Sequence, residues 1–139
     1  MNSEFATLAQ ETYVSLTTFR RTGVPVATPV WITERDGALY VITDASSGKA
    51  KRIRHTAKVT LTPCDMRGHV SGGVEVTGYA TLVDPAGTAM VKRLVADKYG
   101  VMAKLIGVRT MATDLLAKVT GKSGSNQVGI KIEPEASTQ

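Results

Sequence analysis

Apolar and polar residues alternate along several short runs of this chain. In "VPVATPVWIT" the residues Val26, Thr28, Val30 and Ile32 share one face, which is the period of a strand. "TYVSLTTFR" before it, and "ALYVIT", "AKVTLTP", "VEVTGYATLV" and "QVGIKIE" after it, are rich in β-branched and aromatic residues and read as further strands. "RTGVP" and "ERDG" are turn signals, and Asp36-Gly37 suits a tight primed hairpin. Pro29 inside the second strand cannot donate to a ladder, so that strand is expected at an edge or interrupted. Gly78 in the fifth strand predicts a bulge or a close backbone approach. "CDMRGHVSGG" reads as a loop.

The period changes to 3.6 in four places. "SEFATLAQ" predicts a short helix within residues 1–10, capped by Ser3. A basic helix is expected from about Ser47 to Thr56, after the third strand. Residues Ala86 to Tyr99 carry an apolar stripe of Met90, Val91, Leu94 and Val95. A second helix is expected from Val101 to about Val119, so a helical pair precedes the last strand. The fold class is thus mainly β with some α: six short, mostly antiparallel strands in a small barrel. One domain spans residues 1–139, with 134–139 as a flexible tail.

Composition narrows the partners. The chain has 139 residues, a net charge of +5 and a pI near 9.5, which favours an acidic ligand. Only 5% of residues are aromatic, so base-stacking platforms are scarce and nucleic acid is disfavoured. Cys64 is the single cysteine, which rules out an intrachain disulfide and suggests a reducing compartment. The N-terminus lacks the pattern of a signal peptide, and no apolar run approaches about 20 residues. A cytoplasmic protein without membrane association is expected. A subunit of this size often gains stability by oligomerising.

The candidate chemistry lies in "SSGKAKRIRHTAK". Lys49, Lys51, Arg52, Arg54 and Lys58 gather there with no acid between them. Ala50, Ile53 and Ala57 would share the opposite face. A charged outer face is the plain explanation. The cations begin in the first helical turn, however, where the helix dipole disfavours them. Ser46, Ser47 and Gly48 just before them are small enough to let backbone N–H groups reach an anion. Two apparent phosphate loops fail: Leu116 stands where Gly121-Lys122-Ser123 would need glycine, and Thr43 where Gly48-Lys49 would. Two histidines and one cysteine make a zinc site improbable, so no metal is expected. Cys64 reads as a small core hydrophobe more readily than as a nucleophile. Trp31 suits either a core or a pocket wall.

"TTFRRTGVPVATPVW", "GALYVITDASSGKAKRIRHTAKVTLTPCD" and "GVEVTGYATLVD" together resemble the pyridoxamine 5'-phosphate oxidase-like split β-barrel family. The match covers about residues 10–100 and is closer to its actinobacterial branch that uses the deazaflavin coenzyme F420. That resemblance implies a homodimer with two cofactor sites at the interface. It implies that Ser47, Gly48, Lys49, Lys51 and Arg52 hold the cofactor phosphate. Thr28, Pro29, Val30 and Trp31 would run along the ring, Ile42 and Thr43 would touch the ribityl chain, and Pro63 and Cys64 would approach the pocket. The chain departs from the family's flavin oxidases: Gly73 stands where they carry glutamine, and their C-terminal substrate-phosphate residues have no counterpart.

The implied activity is F420-dependent hydride transfer to a small organic acceptor, such as an enone, a quinone or a tetrapyrrole. FMN is the alternative cofactor, and a non-catalytic F420 or FMN carrier the alternative role. F420 suits the extended basic track better, since its tail is polyanionic. No catalytic residue stands out. Tyr79 is a candidate proton donor, although a strand-face role explains it as well.

Overall fold

The computed structural model describes residues 3–70, 72–106 and 126–135. Helix α1 covers Ser3–Ala9, and strands β1 (Tyr13–Phe19), β2 (Pro25–Trp31), β3 (Thr33–Arg35) and β4 (Ala38–Asp44) follow. Then come α2 (Gly48–His55), β5 (Lys58–Cys64), β6 (Val76–Leu82), α3 (Pro85–Ile106) and β7 (Gln127–Pro134). The strands form one antiparallel sheet in the order β2-β1-β5-β6-β7-β4-β3. Its two edge strands are consecutive in the chain and are separated only by Ile32. The sheet therefore curls until its edges meet, and the chain itself joins them at that corner.

This corner explains why seven strands form where the sequence pattern predicts six. Alternation runs unbroken from Val26 to Ile32, so the pattern reads as one strand. The curl makes its first part pair with β1 and its last part with β4. The edge position expected from Pro29 holds. The Asp36-Gly37 turn also holds, with φ of 53° and 87° at its two residues.

Alternate residues fill the barrel. Val14 and Leu16 of β1, Leu39 and Val41 of β4, Val59 and Leu61 of β5, and Ile130 and Ile132 of β7 are almost wholly buried in one cluster. Phe5 and Leu8 of α1 and Ile53 of α2 join it. Gly78 lies at a close approach rather than a bulge. A Cβ there would meet the Glu133 carbonyl and Ile132 Cγ2 at 2.9 Å, with Phe5 at 3.2 Å.

A second cluster lies outside the barrel, where Val91, Val95 and Tyr99 of α3 cover Ala38 and Tyr40 of β4. Met90 and Leu94 pack against its margin, so the whole predicted stripe is used. Gly129 lets α3 sit close, because a Cβ there would lie 2.8 Å from Val83 and Val91. The break expected after Tyr99 is absent: α3 continues through Gly100 to Ile106. Packing of the preceding turns outweighs the roughly 1 kcal/mol that one glycine costs a helix. The rest of the expected second helix lies outside the described residues, as does the Gly121-Lys122-Ser123 sequence.

Candidate functional site

Helix α2 begins where sequence chemistry says it should. The Ser47 side chain accepts from the Ala50 N–H at 3.2 Å, and the Lys51 N–H bonds the Ser47 carbonyl. One residue earlier, Asp44 accepts from both the Ser46 N–H (2.8 Å) and the Ser46 hydroxyl (2.6 Å). These bonds hold the Asp44 carboxyl below its ordinary range. The Ser47 hydroxyl lies 3.2 Å from that of Thr43, which ties the helix start to β4. A helix start leaves its first N–H groups without intrahelical acceptors, and at α2 these include those of Gly48 and Lys49. Ala50 and Ile53 are buried beneath, whereas Ala57 lies past the Thr56 cap and is exposed, outside the predicted face.

The cations are not equivalent. Lys51 is exposed, while Lys49 and Arg52 are partly buried. Burial, and then the nearby Arg52 charge, lower the Lys49 pKa below that of an ordinary lysine. Arg52 Nε donates to Thr18 Oγ1 at 2.5 Å, which swings its guanidinium back over the first turn. A Cβ on Gly48 would lie only 2.6 Å from Arg52 Nη1, so glycine makes room for it. Arg54 turns away and donates to the Ala45 carbonyl. Among the described residues, the two ion pairs are Arg35–Asp36 and His69–Asp65. Lys49, Lys51 and Arg52 thus crowd one helix start, and among the described residues no carboxylate forms an ion pair with them.

Strand β2 provides the adjoining wall. Thr28 pairs with Leu16 and Val26 with Thr18, so these side chains share the face that Arg52 reaches. Thr28 Oγ1 is buried and has no hydrogen-bond partner, a costly state for a hydroxyl. Val30 is buried in the barrel and Pro29 is exposed on the outer face. Trp31 stacks on Tyr99 with ring centroids 4.1 Å apart and planes 8° from parallel, and its indole belongs to the second cluster. On β4, Thr43 is buried and Ile42 packs toward α3.

Pro63 and Cys64 lie at the far end of β5, whereas Tyr79 of β6 pairs with Lys58 at its start. Pro63 borders a cleft of about 400 Å³ between α1 and the segment joining β5 to β6, with Glu4, Glu11 and Val74 on its walls. Cys64 is buried and bridges to Val70; burial, then Asp65 and Glu11, raise its thiol pKa, so it lacks the character of a nucleophile. Tyr79 is 40% exposed, and its hydroxyl lies 3.4 Å from Glu135. The structure thus brings Thr43, Ser47, Gly48, Lys49 and Arg52 to one helix start, puts Thr28 on the sheet face that Arg52 reaches, turns Trp31 and Ile42 toward α3, and sets Pro63 and Cys64 apart. Sequence reasoning missed Thr18, and its spacing from Arg52 gave no signal because the contact spans 34 positions.

Comparison with solved structures places the same architecture elsewhere. The conserved hypothetical protein Rv2991 from Mycobacterium tuberculosis is 23% identical with a TM-score of 0.67, over 98% of this chain and 81% of that one. An F420 reductase is 19% identical with a TM-score of 0.60, over 96% and 95%. A FAD-binding protein from Mesorhizobium loti is 19% identical with a TM-score of 0.58, over 98% and 91%. These likenesses show the split-barrel fold. No curated protein matches the sequence at a significant level. The family profile described as pyridoxamine 5'-phosphate oxidase matches residues 2–138, nearly the whole length, and the chain therefore belongs to the pyridoxamine 5'-phosphate oxidase family.

Proposed function

We propose that the chain is an F420-dependent oxidoreductase that reduces a small organic acceptor. The observation that carries this reading is the cation cluster at the start of α2, with an unpartnered buried hydroxyl on the sheet face that Arg52 reaches. Lys49, Arg52 and the N–H groups of Gly48 and Lys49 suit a phosphoryl group. Thr28 Oγ1 lacks a partner that a polar ligand edge would supply. The edge strand β2 leaves alternate backbone groups unpaired between Thr28 and Trp31, where a planar ring finds both hydrogen bonds and apolar contact. Lys51, exposed beyond the cluster, suits a longer anionic tail. When bound, F420 supplies the hydride chemistry. The protein's own part is to hold the phosphoryl group, orient the ring along β2 and exclude water. Family membership and the F420 reductase among the structural neighbours favour this reading.

Titration of the purified chain with F420 and with FMN, followed by ring fluorescence, tests it. The expected result is saturable binding with F420 preferred. Binding of FMN alone would replace the deazaflavin with a flavin, and binding of neither would sink the proposal. Affinity is expected to fall as pH rises, earlier than for an ordinary lysine. The Lys49 pKa is lowered in the free protein, so the ammonium that pairs with phosphate is lost sooner. Turnover with acceptors under excess F420H2 distinguishes an enzyme from a carrier.

The working form is proposed to be a homodimer in the cytoplasm. Val24 beside the edge strand β2, and Met66, Val70 and Val74 between β5 and β6, are 46–67% exposed. Gly68 lies close to Pro29 of β2, so the apolar residues between β5 and β6 border that edge strand, and a second copy would cover them. Sedimentation equilibrium should give about twice the 14.8 kDa chain mass. A monomer at micromolar concentration would refute this.

A further inference from the structure

The corner at Ile32 is held by two consecutive side chains of α3. The Ile32 N–H donates to Tyr99 Oη at 2.8 Å, and the Ile32 carbonyl accepts from Lys98 Nζ at 2.6 Å. The same phenol donates to the Thr12 carbonyl at 2.7 Å. The same ammonium donates to the carbonyls of Ala9 at 3.1 Å and Glu11 at 2.8 Å. Each polar atom of the pair is thus committed: Lys98 uses three donors on three carbonyls, while the Tyr99 hydroxyl accepts from the Ile32 N–H and shares its one proton between the Thr12 carbonyl and the Ile32 carbonyl at 3.2 Å. Ile32 is the one residue between β2 and β3, where the chain passes from one sheet edge to the other.

A lysine is an expensive choice for such a place. Burial, partly offset by Glu11, lowers its pKa to about 8. An apolar residue would avoid that cost but would leave three carbonyls without donors. The Tyr99 phenol is pushed up by burial and remains a donor at neutral pH. Its ring also stacks on Trp31, so one side chain fixes both the backbone of Ile32 and the indole just before it. The clamp acts on the end of the Thr28–Trp31 segment.

We propose that Lys98 and Tyr99 are positioning residues for the ligand ring: by clamping Ile32 and the Trp31 indole, they set how β2 presents its free edge to a bound flavin or deazaflavin. The proposal rests on the reading that such a ring lies along β2. The clamp shares no hydrogen-bond partner with the cations of α2, so it should govern affinity for the ring and leave the phosphoryl contribution alone.

The test uses the full chain with Tyr99→Phe, which keeps the stacked ring and removes the hydroxyl, and Lys98→Met, which keeps the stem and removes the ammonium. Val59→Ala, in the barrel cluster away from α3, is the control for lost stability. Each is titrated with F420, with FMN and with ribitol 5-phosphate, which has no ring. The emission of Trp31, the only tryptophan, is recorded in parallel. Both clamp variants should weaken the ring ligand by about tenfold and shift the Trp31 emission, with ribitol phosphate affinity unchanged within about twofold. Val59→Ala should lower the melting temperature and leave ring affinity within about twofold. If Tyr99→Phe binds the ring ligand as the wild type does, or no worse than Val59→Ala, the positioning role is overturned while the proposed function stands. If Lys98→Met fails to fold, Tyr99→Phe decides alone. If the wild type binds neither F420 nor FMN, the proposed function fails, and this inference fails with it.

Discussion

Replacing Lys49 and Arg52 together by alanine should lower F420 affinity by at least about a hundredfold. Each charge-assisted bond to a phosphoryl oxygen contributes about 1.5–3 kcal/mol, and 1.4 kcal/mol is a factor of ten. Lys51→Ala should cost less than about fivefold, because that side chain is exposed and its pairing is screened by solvent. In the sequence Lys49, Lys51 and Arg52 look interchangeable. The structure ranks them: Lys49 is partly buried, Arg52 is aimed by Thr18, and Lys51 points outward. Isothermal titration of the double and single variants checks the ranking. The double variant should still fold, with a melting temperature lowered only modestly, since Ser47 and Ile53 keep anchoring α2 while Thr18 Oγ1 loses its Arg52 donor. Equal losses at all three positions would mean that the cluster acts only as diffuse charge.

Ile132→Ala should destabilise the chain by about 3 kcal/mol, within the usual range for emptying a buried aliphatic site. Ile132 is fully buried and stands between Ala80 of β6 and Leu39 of β4 in the ladder. Lys131→Ala, one residue away on the opposite face, should change stability by less than about 0.5 kcal/mol. The contrast tests register, because a slip by one residue exchanges the two faces of a strand. Urea denaturation of both variants would measure it. Comparable losses at 131 and 132 would contradict the assigned register of β7.

Much of the fold is written locally. Strand alternation, the Asp36-Gly37 turn and the Ser47 cap each depend on residues a few positions apart, and all appear where the pattern puts them. The stripe from Met90 to Val95 likewise marks the face of α3 that packs. The misreadings have one cause. The corner at Ile32 is invisible to alternation, because a strand that changes partners keeps its period of two. Gly100 looks like a helix stop because local propensity ignores the packing of the turns before it. Ala57 fits the helical face of Ala50 and Ile53 by spacing alone, yet the helix has ended.

Sequence by itself determined the mainly β class, the edge position of Pro29, the start of α2 and the concentration of positive charge there. These follow from backbone geometry and side-chain chemistry within a turn or two of the chain. Tertiary structure decided how the cations differ, because burial of Lys49 and the reach of Arg52 to Thr18 depend on strands distant in sequence. It also decided that Trp31 stacks on Tyr99 and that Lys98 serves three carbonyls. Those contacts span 66 to 89 positions, and they exist only because curling of the sheet brings its two ends to one corner beneath α3.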